Sequence, residues 1–443
     1  MKKSILYIGL LMFVCLQTSC DDNKEQYLDD FSTILYFRDS GEIEHDMNII
    51  EEMSTYTVSV VKAGSNNQAT TAVDLMIMDG TMLTDYNNNE GTNYKVLPAD
   101  CYSIETGNLS FNSSSLYQTI DVSLYTEAIN AIQGDDYIIA LYLSNSADSI
   151  NVEKSYVFIK PRVVTPLVSF QKFGYVMNSF SESGETQFNY TLPVNLSVSN
   201  KWTFNCYTEV NEDLLDTYNR EQNASYILLP ENSYTIAEEG VVSMTPEGAN
   251  SLKFTINKET LSFGNYILPL LLTGTSMEKI DVDPTRNSCL FGVSYVPDES
   301  SLQSIQLAEN MISYYPNSIC EGSVPEMYDG NPDTYYHSDW NVGLPLPHWL
   351  QFALPEDCSA FRFKYSTRGA TERVTPHQIT LYGSEDGVDF KKIVTIEDLP
   401  QGAGVGYTSP VFVAGGKIKH LRLSVDKSPA GSFAFTEFAL WAI

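Results

Sequence analysis

The sequence predicts an all-β protein built as a row of β-sandwiches, and three observations carry that expectation. Charged residues make up 19% of the 443 residues while aromatic residues reach 12%, a balance that disfavours helical bundles and suits Tyr-, Thr- and Ser-rich sheets. Short apolar or alternating runs, such as Tyr56 to Val61, Val73 to Met78, Thr119 to Leu124 and Tyr156 to Ile159, are separated by Asn, Gly and Ser clusters. That is the pattern of half-buried strands joined by turns. Third, one stretch of the chain occurs twice.

The repeat is legible residue by residue. Leu83-Thr84-Asp85-Tyr86-Asn87 returns as Leu215-Asp216-Thr217-Tyr218-Asn219, and Tyr94, Pro98 and Tyr102 return without a gap as Tyr226, Pro230 and Tyr234. Further on, Tyr137 to Leu143 answers Tyr266 to Leu272. Agreement over that span marks a tandem domain pair. Within each copy the stretch before the first tyrosine, Asn211 to Arg220 in the second, has helical spacing and predicts one short helix over the sandwich edge. The Leu-Pro-x-x-x-Tyr-x-Ile element predicts a loop entering a strand, with proline fixing φ at its start. The shared tyrosines read as sandwich core and a hydroxyl-anchored corner rather than a sugar platform, since a duplicated pair seldom keeps one ligand twice.

The first nineteen residues read as a leader. Lys2 and Lys3 precede an apolar run from Ile5 to Leu16, too short to span a bilayer as a mature helix. Leu16-Gln17-Thr18-Ser19-Cys20 resembles a bacterial lipobox, with Gln17 departing from the aliphatic residue the pattern prefers. The resemblance implies lipidation of Cys20, and the acidic stretch that follows resembles the signal that sends lipoproteins to the outer face of the outer membrane. The expected membrane attachment is therefore a lipid anchor alone, on a tether over 20–30.

Taken together, the repeated pattern resembles the immunoglobulin-like domain of unknown function at the N-terminus of Bacteroidota surface lipoproteins. Those domains precede glycoside hydrolases or glycan-binding modules, which implies a spacer role. The expected copies span 31–163 and 164–297.

Past Val296 the pattern changes. Glu326-Met327-Tyr328-Asp329-Gly330-Asn331-Pro332-Asp333-Thr334-Tyr335-Tyr336-His337-Ser338, then Trp349 to Leu354, Pro376 to Gly387, His420 to Leu423 and Phe435 to Phe438 occur in the order found in discoidin, or coagulation factor 5/8 type C, domains. Tyr336 stands where that family usually has tryptophan. The resemblance covers 300–443 and implies an eight-stranded jelly roll. The full expectation is two tandem Ig-like β-sandwiches followed by a discoidin-like jelly-roll β-sandwich.

The same resemblance implies a structural Ca2+. Asp329 and Glu437 would supply carboxylates, Thr334 a hydroxyl or carbonyl, and Glu326, Asn331 and Thr436 main-chain oxygens, the hard donors that calcium prefers. The ligand site is expected on the loops at one end. Trp340 offers a flat apolar face for a sugar ring, and His337, Asp339, Asn341 and His348 planar or polar partners for hydroxyls. Arg368 and Arg373 come from the neighbouring loop and Phe433 from the last.

The net charge of −30 repels a phosphate backbone and excludes nucleic acid as a partner. Five cysteines beyond Cys20, scattered and without a Cys-x-x-Cys pair, read as small apolar residues. The chain shows no Gly-x-Ser-x-Gly or His-Glu-x-x-His motif and no catalytic barrel, so no catalytic residue is expected. The function these readings imply is a non-catalytic, lipid-anchored protein of the outer-membrane surface that captures glycan or glycoprotein, with uptake machinery as a candidate partner. A surface adhesin for a protein partner, or an accessory subunit of a glycoside hydrolase system, are the alternatives.

Overall fold

The computed structural model describes residues 33–443 apart from Asn67 and Ala249, so the leader, Cys20 and the acidic tether lie outside the described residues. The chain divides after Pro166 into two compact units. Among the described residues no helix is long and apolar enough to cross a membrane.

The first unit is one sandwich. Its five-stranded sheet runs Ser149–Ile150, Ile34–Phe37, Met53–Ala63, Tyr117–Tyr125 and Tyr102–Ile104. The facing sheet runs Gly41–Asn48, Tyr156–Val164, Tyr137–Ser144, Thr71–Ile77 and Gly107–Phe111, with Lys95–Val96 pairing alongside Tyr137 and Ile138. Alternation fills the space between them. Val58 and Val60 of one strand, Val122 and Leu124 of the next, and Ile139, Leu141 and Ile159 of the facing sheet are buried together. Lys62 continues the inward alternation, and its ammonium donates to the carbonyls of Ala69 and Asn112, each at 2.8 Å. The predicted helix forms over Gly80–Glu90, capped by Asp79, whose carboxylate accepts from the Thr81 and Met82 amides.

The second unit holds the second repeat and the C-terminal module. The repeat has the same two sheets in the same strand order, Tyr234–Ile236 to Asp281–Val282 and Gly174–Ser181 to Val241–Met244. Its helix is Glu212–Gln222. Both Leu-Pro-x-x-x-Tyr elements fold as one 3-10 turn, Ala99–Cys101 and Glu231–Ser233, entering a strand at Tyr102 and Tyr234.

In the module ten strands join into one continuous sheet where eight were expected. The strands His348–Thr367 and Phe412–Lys427 are long enough to serve both layers. The register of the first shifts between Ala353 and Cys358, where Pro355, Glu356 and Asp357 are exposed, and that irregularity bends it from one layer to the other. The core is aromatic: Phe352, Phe363, Tyr365, Phe433, Phe435 and Phe438 form a chain of ring contacts. Cys101, Cys206, Cys289 and Cys358 are buried free thiols.

Repeat and module are bonded to each other across a seam. Asn265 Nδ2 donates to the Val413 carbonyl at 2.7 Å, Asn223 Nδ2 to the Phe390 carbonyl at 3.1 Å, and the Lys392 amide to the Asn223 carbonyl at 2.7 Å. Gly415 is required at this seam, because a Cβ there would lie 1.6 Å from the Ser225 carbonyl oxygen. Glu182 of the repeat accepts from Ser301 Oγ at 2.6 Å and the Asp298 amide at 3.0 Å, and Glu299 pairs with Arg362 of the module.

Candidate functional site

One end of the module gathers a polar cluster around Glu321. The strand Ile319–Gly322 pairs antiparallel with Tyr336–Ser338, setting Glu321 opposite His337. The Glu321 carboxylate accepts from Arg368 Nη1 at 2.7 Å, from His337 Nδ1 at 3.2 Å and from Tyr335 Oη at 3.2 Å. The Arg368 guanidinium lies over the Tyr335 ring, 4.2 Å from its centre, a cation–π contact that fixes its plane. His337, Arg368 and Tyr335 hold the Glu321 carboxyl below its usual range, the His337 bond being the largest cause. Its side chain is 41% exposed, so the carboxylate and the guanidinium both reach solvent.

The hydrogen-bond network sets the histidine tautomers. A carboxylate only accepts, so His337 Nδ1 carries the proton and Nε2 accepts from Ser432 Oγ at 3.2 Å. Burial lowers the His337 pKa, so its contact with Glu321 is a neutral imidazole donating to a carboxylate rather than an ion pair. His348 is neutral for the same reason. Its Nε2 donates to the Leu344 carbonyl at 3.1 Å, and its Nδ1 accepts from Ser338 Oγ at 3.0 Å. Ser338 Oγ in turn accepts from the Phe433 amide at 3.0 Å. A run of bonds thus ties the loop after Ser338 to the strand that carries His337.

That loop presents Trp340, 51% exposed, with Asn341, Val342 and Leu344 also exposed. Its start is clasped by Asp339, whose carboxylate accepts from Ser318 Oγ at 2.6 Å and the Asn341 amide at 2.8 Å and is held below its usual pKa range, the Ser318 bond being the largest cause. Arg373 is exposed on the neighbouring loop, where its carbonyl accepts from the Ala430 amide.

The eight residues expected to meet ligand therefore separate. Trp340, Asn341, Arg368 and Arg373 reach solvent. His337 and Asp339 are buried beneath the rim and orient its groups. Phe433 and His348 correct the expectation: both are fully buried, Phe433 against Tyr336 and Phe435 in the core and His348 under the proline-bearing turn, so neither offers a face to a ligand. Glu321, Tyr335 and Ser432 were missed. Glu321 sits in Cys320-Glu321-Gly322, with nothing local to separate it from a solvated acidic residue.

The expected calcium donors also come together in part. Glu437 has its pKa raised by burial and then by the charge of Asp329, against a bond from the Gly330 amide, and its Oε1 is buried without a hydrogen-bond partner. Two carboxylates coupled by charge, one of them with a buried and unpartnered oxygen, fit a hard divalent cation. The Thr334 hydroxyl lies 2.8 Å from Asp329 Oδ2 and 2.8 Å from the Asn331 carbonyl oxygen, its one proton shared between the two acceptors, which organises the turn. Glu326 lies in the 3-10 turn Pro325–Met327, which packs against the strand Ala434–Ala442 that carries Thr436 and Glu437. Among the described residues no three His, Cys, Asp or Glu side chains converge, so main-chain oxygens would have to complete such a site.

Comparisons place these elements among known proteins. No curated protein matches the chain. Among solved structures it is similar to a two-domain protein of unknown function from Bacteroides fragilis NCTC 9343, at 14% identity and a TM-score of 0.27 over 62% of this chain and 94% of that one. It is similar to the family 32 carbohydrate-binding module of Clostridium perfringens NanJ in complex with galactose, at 12% identity and a TM-score of 0.25 over 32% of this chain and 98% of that one. It is also similar to an F5/8 type C domain from Bacteroides fragilis, at 12% identity and a TM-score of 0.25 over 32% and 96%. A family model whose description reads "-like, N-terminal domain" matches twice, at residues 28–150 and 165–279. With those two matches covering more than half of its length, the chain belongs to that N-terminal-domain family and carries the domain in tandem.

Proposed function

We propose that this is a non-catalytic, lipid-anchored protein of the outer-membrane surface that captures glycan through its C-terminal module. The observation that carries the reading is the rim itself. A solvent-facing carboxylate and guanidinium, bonded to each other and pre-oriented by His337 and Tyr335, stand on the same loop end as the exposed ring of Trp340. Bidentate polar groups answer vicinal hydroxyls, and an aromatic face answers the C–H side of a sugar ring. Pre-orientation lowers the entropy cost of ordering such groups on binding. The cluster is an open rim, while a cavity of about 330 Å³ lined by Leu97, Tyr137, Lys160 and Arg162 belongs to the first repeat. An open rim suits a polymer chain that passes across the surface.

A calcium ion held between Asp329 and Glu437 would pin the turn to the last strand and supply no chemistry of its own. Lipidation at Cys20 would display the module on the cell surface, where many weak sites engage one polymer. Single-site affinity should be near ~10⁻⁴ M, about −5.5 kcal/mol, since sugar hydroxyls exchange water bonds for similar protein bonds. The test is affinity electrophoresis of the full chain against purified polysaccharides and host-type glycans. Arg368→Ala and Trp340→Ala should each abolish a retardation that the wild type shows. Absence of retardation by every glycan would reject the reading.

A further inference from the structure

Gly41–Asn48 and Gly174–Ser181 are the same edge strand in the two repeats. Each runs parallel to the last strand of its domain, Tyr156–Val164 and Ser288–Val296, with Gly41 opposite Val157 and Gly174 opposite Cys289. In the first repeat this edge carries a ladder of charge. Glu42 pairs with Lys160, Glu44 with Arg162, and Asp46 takes the Arg162 guanidinium through bonds of 2.6 and 2.8 Å. Charged side chains on an edge strand keep other strands from adding to it. None of these charges recurs in the second repeat. Tyr175, Met177 and Ser179 stand at the places of the three carboxylates, and Gly292 and Ser294 at those of Lys160 and Arg162. Tyr175 and Met177 lie over Gly292, where a Cβ would come within 2.8 Å of the Met177 sulfur. Phe173, Tyr175 and Met177 are 47%, 37% and 39% exposed. Among the described residues no strand pairs with the outer side of Gly174–Ser181.

We propose that this edge pairs with the same edge of a second copy of the chain, antiparallel, about a two-fold axis at Met177. Residues 172–182 are self-complementary in that register. Lys172 falls opposite Glu182, Phe173 opposite Ser181, Tyr175 opposite Ser179, and Met177 opposite itself. Cation meets anion, and each aromatic ring meets a small side chain. Both charged ends are available. Lys172 is exposed and has no ion-pair partner among the described residues, and the bonds to Glu182 from Ser301 and Asp298 both fall on Oε2, leaving Oε1 for a second partner. Two chains of net charge −30 repel one another, so they can meet only where the contact holds no uncompensated charge. The first repeat's edge could not serve, because the same pairing would set Glu42 opposite Asp46 and Glu44 opposite itself. A contact of this two-fold kind closes on itself and gives a dimer rather than a fibre.

The test is sedimentation equilibrium of the full chain, with cysteine cross-linking to read the register. The wild type should show a concentration-dependent dimer. Met177→Lys, which brings two ammonium groups face to face, should weaken it at least about tenfold. Under mild oxidant Met177→Cys should cross-link to itself, since directly opposed residues of an antiparallel pair have Cα atoms about 4.5–5.5 Å apart, within reach of a disulfide. Tyr175→Cys and Ser179→Cys should each stay unlinked alone and link to each other when mixed. The wild type and Glu44→Cys should stay unlinked. A chain that is monomeric at every concentration overturns the pairing, as does a dimer that Met177→Lys leaves intact or a Tyr175→Cys that links to itself. A monomer that binds polysaccharide through this edge, with binding lost in Met177→Lys, would assign the stripe to glycan and overturn the pairing too.

Discussion

The two repeats share a backbone plan and differ in what one edge of it holds. In both, an asparagine on the helix clamps the following tyrosine: Asn87 donates to the Tyr94 carbonyl at 2.8 Å and accepts from its amide at 3.1 Å, and Asn219 does the same for Tyr226 at 2.9 Å and 2.9 Å. In both, the helix ends on a left-handed residue, Gly91 with φ 70° and Asn223 with φ 48°. Glycine at that cap has no side chain to offer, whereas Asn223 reaches the module's Phe390 carbonyl. Asp136 and Asn265 stand at the same place before the shared tyrosine. Asp136 lies 3.7 Å from the Lys95 ammonium, with both side chains more than half exposed. Asn265 is buried, accepts from Ser294 Oγ and donates to Val413. A carboxylate has no proton to give a carbonyl, while an amide does both. Two residues thus turn a solvated strand end into a domain seam without changing the fold.

Substitutions at paired positions can break or sharpen this contrast. The largest effect is expected at the shared tyrosine. Tyr266 is 5% exposed and donates to the Ser262 carbonyl, while Tyr137 is only partly buried beneath Lys95. Tyr266→Ala should cost about 3–5 kcal/mol in a urea melt, and Tyr137→Ala roughly half of that. Equal losses would erase the distinction between the two edges.

Calcium should divide the chain in the same way. At about one hundred times its dissociation constant the ion should stabilise the second unit by ~2.7 kcal/mol, leaving the first unit unmoved. Differential scanning calorimetry with and without chelator reads this, and Asp329→Ala should abolish the response. A melt indifferent to chelator would leave Asp329 a turn residue.

Next in size is the seam itself. Asn265→Ala removes a buried donor and leaves the Val413 carbonyl unpaired, a loss of about 1–3 kcal/mol. Asp136→Ala on the exposed edge should change stability by less than about 0.5 kcal/mol. Urea midpoints of the two variants decide it, and a costly Asp136→Ala would show that the first repeat's edge also carries load.

The smallest effect concerns the helix starts. Asp79 caps two amides, whereas Asn211 makes no side-chain cap bond. Asp79→Ala should cost about 1 kcal/mol and Asn211→Ala close to nothing. Reversal of that order in chemical melts would mean the caps are not as described.

Periodicity and repetition made the fold legible. The alternation of Tyr56 to Val61 became part of the strand Met53–Ala63 and the doubled Leu-Pro-x-x-x-Tyr element entered a strand as expected, while the run of motifs from Asp329 to Phe438 formed a sheet of ten strands rather than eight. The helix before Tyr218 appears over Glu212–Gln222, close to its predicted span. The site was legible only in part. Aromatic and arginine residues in a loop can be picked out by type, and Trp340 and Arg368, chosen that way, do reach solvent. Burial cannot, and so Phe433 and His348 were placed at the surface while Glu321 was passed over.

By itself the sequence determined what depends on near neighbours along the chain: the strands, the turns, the duplication and the change of pattern after Val296. The tertiary structure decided what depends on residues far apart in sequence and close in space. It brought Glu321 to Arg368 and Asp329 to Glu437, turned His337 inward and left Trp340 outside, and made Asn265 a buried bridge where Asp136 is a solvated charge. The physical reason is that side-chain type sets what a residue can bond, while desolvation and partner geometry, which only packing supplies, set whether it does.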